Sequence, residues 1–120
     1  KFLKQATKGE SLSIYGSGSQ TRTFCFIDDN IDTTVLCLQE NYCVNDVMNV
    51  GNDEEVSVKE LAEKVIQVSG SLSRIEYLPA LQEGDMTRRK PDNTKMRSIL
   101  GRQLISLEEG LKRTLEKRMF

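Results

Sequence analysis

Two arginines carry most of the chemistry that can be read directly from this chain. Arg22 stands just past Gly16-Ser17-Gly18-Ser19, at the head of the β-patterned run Thr21 to Ile27. A guanidinium there has two readings. It is an ordinary exposed cation, or it is a planar donor fork that clamps diphosphate oxygens, held beside a tight turn with little entropy left to lose. Arg89 belongs to the densest basic cluster, Arg88-Arg89-Lys90-Pro91-Asp92. As a charge run the cluster reads as a solvated loop. As a site it aims cations at a carboxylate or phosphate, because Pro91 restricts Lys90 to extended geometry and fixes how the arginines leave the loop. The acidic groups Asp28-Asp29, Asp53-Glu54-Glu55 and Glu108-Glu109 all precede or open helical patterns, and charge at a helix start explains them without acid/base catalysis.

The elements that must position these side chains alternate between helix and strand. Phe2, Leu3 and Ala6 form a short helical stripe ending at Gly9. Leu12 and Ile14 on one side and Thr21 to Ile27 on the other read as a β-hairpin around Gly16 to Ser19. That glycine turn leads into a strand rather than a helix, so it reads as a turn and not as a dinucleotide loop. Asp28, Asp29 and Asn30 read as N-cap residues of a helix with Ile31, Val35 and Leu38 on its inner face, ending near Asn41. Asp46 to Val50 alternates like a half-buried strand. Ser57-Val58-Lys59-Glu60 is a capping box, opening a helix with Val58, Leu61, Ala62, Val65, Ile66 and Val68 on one face and Gly70 at its end. A short strand, Arg74 to Leu78, then enters the polar stretch Pro79 to Pro91, long enough to be a candidate binding loop. Asp92 to Leu100 reads as a helix closed by Gly101, and Ser106 to Glu109 as a second capping box before Leu107, Leu111, Leu115 and Met119.

Composition narrows the classes. With 120 residues, 38% of them apolar and 29% charged, the chain is expected to form a single globular unit, residues 1–120. A net charge of −1, from 17 basic and 18 acidic residues, provides no field for nucleic acid or an anionic membrane surface. No apolar stretch has the length of a membrane span, and the first residues read as no secretory signal. The chain contains no histidine, and its three cysteines, Cys25, Cys37 and Cys43, include no C-x-x-C pair. They are read as packing thiols rather than metal ligands, in a reducing, cytoplasmic setting. No Gly-rich turn opens a helix and no tyrosine has a lysine four residues later, so a dinucleotide and its hydride chemistry have no home here.

The motifs, in order, are Phe2 to Ala6 with Gly9-Glu10, SIYGSGSQTRTFCFIDDNID from Ser13, NVGNDEEVSVKELAE from Asn49, RRKPDNTK from Arg88 and LGRQLISLEEGLKRT from Leu100. Together they resemble the carboxy-terminal part of the NAD-dependent sugar-nucleotide epimerases, dehydratases and decarboxylases, which are extended short-chain dehydrogenase/reductases. The form Arg89-Lys90-Pro91-Asp92 favours the UDP-glucuronate decarboxylase branch. Two positions depart from the pattern: Arg102-Gln103-Leu104 follows Leu100-Gly101 where the family has Trp-x-Pro, and Asp53 replaces a frequent proline.

The resemblance implies an α/β fold class: the substrate-binding portion of such an enzyme, with mixed short strands and helices and without the Rossmann nucleotide-binding half. It implies a longer parent that oxidises C4 of a UDP-hexuronate with bound NAD, loses carbon dioxide and returns the hydride to give a UDP-pentose. Tyr15 and Gln20 match positions that line the nucleotide, Arg22 the contact to the diphosphate, and Arg89 the arginine that faces the sugar carboxylate and assists reprotonation. A 4-epimerase or 4,6-dehydratase is the alternative within the family, and a stand-alone interaction domain the alternative outside it. The chain alone is expected to bind no NAD and to be inactive. Its partners are expected to be a nucleotide sugar, the amino-terminal Rossmann half and further copies of itself, because apolar faces and a strand edge are left bare.

Overall fold

The computed structural model describes residues 1–80 and 87–118. In chain order the elements are α1 (Phe2–Thr7), β1 (Leu12–Tyr15), β2 (Thr21–Thr23), α2 (Ile27–Gln39), β3 (Glu55–Ser57), α3 (Val58–Ser69), β4 (Ile75–Leu78), α4 (Thr94–Leu100) and α5 (Leu107–Glu116). One globular unit is the expectation from length, whereas packing gathers the residues into two compact units. The first comprises Lys1–Arg22, Val56–Arg89 and Glu108–Phe120, and the second Thr23–Glu55 and Lys90–Leu107, each as far as its residues are described. Met119, placed by periodicity on the last helix, lies outside the described residues, as do residues 81–86 of the candidate loop.

The first unit is organised by β1. Its Leu12 and Ile14 are fully buried, alternating with Ser13 and Tyr15 as the two-residue period of a strand requires. Leu3 and Ala6 of α1 and Ala62 and Val65 of α3 close on them, with Leu111 and Leu115 of α5 packed alongside. Each of the larger side chains fully buried here, Leu12, Ile14 and Val65, contributes about 1.5–3 kcal/mol. The α3 start is built as its sequence indicates. Ser57 Oγ accepts the Glu60 N–H at 3.1 Å while Glu60 Oε2 accepts the Ser57 N–H at 2.7 Å, and Gly70 ends the helix at φ 63°.

The expected hairpin does not form. β1 pairs in parallel with β4, Leu12 opposite Ile75 through Tyr15 opposite Leu78, while β2 pairs with β3. The strand after the turn is also shorter than its apolar pattern, since helix α2 begins at Ile27 and β2 ends at Thr23. Residues 46–50 carry no strand. The chain ahead of them turns repeatedly, with Asn41, Cys43 and Asn45 all in the left-handed region, φ 55–58°.

The second unit is centred on α2 and α4. The α2 helix is rotated from the expected orientation. Asp29 and Thr33 face inward and are buried, whereas Ile31 is 50% and Leu38 76% exposed. Asp28 and Asp29 are not caps either: the cap position is Phe26, with no side-chain bond. The α4 helix ends at Gly101, φ 64°, as expected, and buries Met96 and Leu100. Gly51 N–H points at Met96 Sδ, 3.3 Å away, and Asn93 Nδ2 donates to the Gly51 carbonyl at 2.9 Å. No described helix is long and apolar enough to cross a membrane.

Candidate functional site

The four residues singled out by sequence, Tyr15, Gln20, Arg22 and Arg89, all belong to the first unit. They are positioned by one loop, residues 16–20. The β1–β4 ladder runs into it through Gly16, whose N–H donates to the Leu78 carbonyl at 2.9 Å. The Gly18 carbonyl then accepts the Lys59 N–H at 3.1 Å, and the Gln20 carbonyl the Val58 N–H at 3.0 Å. With Glu60 N–H taken by Ser57, the first three amides of α3 are all engaged. A helix start is ordinarily a ready anion site. Here its donors hold the loop instead.

Within the loop, Gln20 Nε2 reaches back to the Tyr15 carbonyl at 3.3 Å, and Ser17 and Ser19 hydroxyls meet at 2.8 Å. Tyr15 is 40% exposed, and its ring lies under the Lys1 ammonium, 4.8 Å from the ring centroid. That cation–π pair was not legible in the sequence. Lys1 also donates to the Ser13 carbonyl at 3.3 Å, which fixes the ammonium over the ring.

Gly18 locks this arrangement. Its φ is +74°, and a Cβ there would stand 3.0 Å from Ile14 Cγ2 and 3.4 Å from the Lys59 nitrogen. Gly18→Ala should therefore cost about 2–3 kcal/mol, combining the left-handed penalty with the clash. Gly9→Ala, at φ +70° but with nothing within 4 Å, should cost only about 1 kcal/mol. Thermal melts of the two variants check this, and equal losses would mean that the loop yields without strain.

The segments that carry the two arginines meet through a feature no local pattern announces. Thr21 N–H donates to the Thr87 carbonyl at 2.9 Å, and Thr21 and Arg88 form a parallel bridge. Arg22 and Arg89 are the next residues of the two segments and so follow each other in step. Arg22 is half-buried, with Nη1 donating to the Thr21 carbonyl at 2.8 Å, and Arg89 is exposed.

The described residues do not fit a dinucleotide. The glycine turn precedes β2 rather than a helix, and the α3 amides are occupied.

In the second unit the sequence reading missed an acidic centre. The buried Asp29 carboxylate accepts Arg102 Nη1 at 2.5 Å and the Ile105 N–H at 2.9 Å, and Arg102 Nη2 reaches Asp32 at 2.6 Å. Both carboxylates hold the guanidinium in its charged form, Asp32 the more strongly. Burial, and after it the Asp29 charge, pushes the nearby Cys25 thiol up. The available signal was the departure at Arg102. The departure at Asp53 also acquires a partner, Arg97 Nη2 at 2.6 Å, and this hydrogen bond holds the Asp53 carboxyl below its usual range.

Comparison with known proteins agrees with these motifs. The NAD dependent epimerase/dehydratase family matches over residues 1–51. UDP-glucuronic acid decarboxylase 1 of Danio rerio is 39% identical over 116 residues, covering 96% of this chain and 27% of its own length. UDP-glucose 4-epimerase of Thermotoga maritima, solved with UDP-glucose, superposes with a TM-score of 0.86 at 29% identity, over 98% of this chain and 38% of that one. UDP-glucuronic acid 4-epimerase of Bacillus cereus, solved as a mutant with a fluorinated UDP-glucuronic acid and NAD, gives 0.82 at 28%, over 99% and 39%. The chain thus spans between about a quarter and two-fifths of the length of these relatives. By sequence and by fold it is similar to part of the NAD dependent epimerase/dehydratase family.

Proposed function

We propose that this chain is the nucleotide-sugar-binding portion of an NAD-dependent enzyme, and that the whole enzyme decarboxylates UDP-glucuronate to UDP-xylose. The observation that supports the proposal is the pairing of Thr21 with Arg88, which brings the backbone segments that carry Arg22 and Arg89 together. In this reading Arg22 grips the diphosphate, Tyr15 and Gln20 line the nucleotide, and Arg89 faces the sugar carboxylate. A guanidinium at that carboxylate stabilises the enolate left when carbon dioxide departs. The Danio rerio relative favours decarboxylation over epimerisation.

The same reading places NAD and the hydride transfer on residues of a Rossmann half that this chain does not supply. It places the enzyme in the cytoplasm and has copies associating through the apolar side of α2, where Ile31, Val35 and Leu38 are exposed.

The function is tested by supplying UDP-glucuronate and NAD to the enzyme containing this chain and following carbon dioxide release together with the sugar nucleotide formed. UDP-pentose with one equivalent of carbon dioxide is expected. Inversion at C4 with the carboxylate retained would replace the reading by a 4-epimerase. Titrated alone by calorimetry, the chain should show no NAD binding. A micromolar dissociation constant, about −8 kcal/mol, would require a cofactor site that the described residues lack.

A further inference from the structure

The proposed function asks of Tyr15 only that it line the nucleotide, and it makes no use of the Lys1 ammonium, which stands over the Tyr15 ring 4.8 Å from its centroid. Both residues belong to the first unit, and each is held from more than one side. Lys1 is the cap residue of α1, its carbonyl accepting the Gln5 N–H at 3.0 Å, and α1 is seated on β1 through Leu3 and Ala6 packed with Leu12 and Ile14. Two side chains then stitch the helix start to the strand. Lys1 Nζ donates to the Ser13 carbonyl at 3.3 Å, and Gln5 Nε2 donates to the Ser13 hydroxyl at 3.0 Å. The Tyr15 backbone is set by its place opposite Leu78 and by Gln20 Nε2, which donates to its carbonyl at 3.3 Å. A tyrosine 40% exposed at a strand end keeps rotamer freedom, and a cation held over its ring removes part of that freedom before a ligand arrives.

We propose that Lys1 is a positioning residue for the nucleobase: its ammonium holds one face of the Tyr15 ring so that the other face stacks on the uracil of the substrate. This rests on the reading of Tyr15 as part of the nucleotide site. A base that meets a ring already oriented loses less conformational entropy on stacking, so the gain appears as affinity for the base and leaves the phosphates untouched. The base is bound in the ground and transition states alike. Lys1 therefore acts on KM and not on kcat. An exposed cation–π contact corresponds to a factor of about two to five in a dissociation constant, and a base stacked on an aromatic side chain to a factor of about ten or more.

The test uses the enzyme containing this chain, with UMP and inorganic pyrophosphate as competitive inhibitors against UDP-glucuronate. Tyr15→Leu should weaken UMP about tenfold or more and leave pyrophosphate unchanged. Lys1→Met, which removes the charge from a side chain of similar length, should weaken UMP about two- to fivefold, leave pyrophosphate unchanged, and raise KM for UDP-glucuronate with kcat unchanged. Lys1→Arg keeps a cation over the ring and should retain the native affinity. In the Tyr15→Leu background, Lys1→Met should have no further effect on UMP. Both positions are exposed, and circular dichroism verifies folding in each variant. Equal weakening of UMP and pyrophosphate by Lys1→Met would mean that the ammonium attracts phosphate instead, and would overturn the proposal. So would an unchanged UMP affinity in Lys1→Met beside a loss in Tyr15→Leu, because the ring would then need no support. An unchanged UMP affinity in Tyr15→Leu would overturn the placing of Tyr15 at the nucleotide, and this proposal with it.

Discussion

Arg89→Ala in the complete enzyme is expected to lower kcat by about 10²–10³-fold with KM for the UDP-sugar changed less than about threefold, the scale seen when one preorganised donor to a developing anion is removed. Arg22→Ala is expected to do the reverse: KM rises about 10–100-fold, the worth of a hydrogen bond to a charged group, and kcat falls little. The asymmetry follows from when each charge is needed. A diphosphate is fully charged in the ground and transition states alike, so a cation that grips it contributes uniform binding. The sugar carboxylate loses its charge as carbon dioxide, and the negative charge migrates onto the enolate, so a cation at that end stabilises a species that exists only during reaction. The two segments run parallel with Thr21 opposite Arg88, so the backbones that carry the two arginines lie alongside each other. Steady-state kinetics of both variants decides the matter, and a change in KM alone for both would remove Arg89 from catalysis.

Local signals in the sequence were followed closely by the fold. The capping box at Ser57 and Glu60 and the glycine ends at Gly70 and Gly101 stand where their residue types require, because each is satisfied within a few residues of chain. What escaped was set by partners far along the chain. The run after Gly18 looked like the return strand of a hairpin, yet β1 takes β4 as its neighbour, more than sixty residues later, and a parallel partner leaves no local signature. The apolar stripe of α2 looked like its inner face, yet Asp29 and Thr33 turn inward because Arg102 and the Ile105 amide wait for the carboxylate. Of the site, the residue types were legible and the register was not. Nothing near Arg22 in sequence indicates that residues 87–89 run beside it.

A large loss of stability from a single polar side chain is expected at Asp29. Asp29→Ala removes the acceptor of two bonds, the Arg102 Nη1 contact at 2.5 Å and the Ile105 N–H contact at 2.9 Å, from a position that is fully buried. Orphaning the partly buried amide costs about 1–3 kcal/mol, and losing the charge-assisted bond adds a comparable amount. Arg102 itself is not stranded, since its side chain is 37% exposed and keeps Asp32 at 2.6 Å and the Gln103 carbonyl at 3.0 Å. The full penalty of an unpaired buried ion is therefore avoided, and the expected total is about 2–4 kcal/mol. Asp32→Ala, at an exposed carboxylate, should cost under about 1 kcal/mol. The pair can be separated from the amide by a cycle with Arg102→Met. In that background Asp29 is a buried charge with only an N–H to meet it, so its removal should cost far less than in the unaltered chain, giving a coupling of about 1.5–3 kcal/mol. Urea melts of the four chains measure it. Equal losses for Asp29→Ala and Asp32→Ala, or a coupling near zero, would show that the Arg102 bridge is incidental and that the orientation of α2 has another cause.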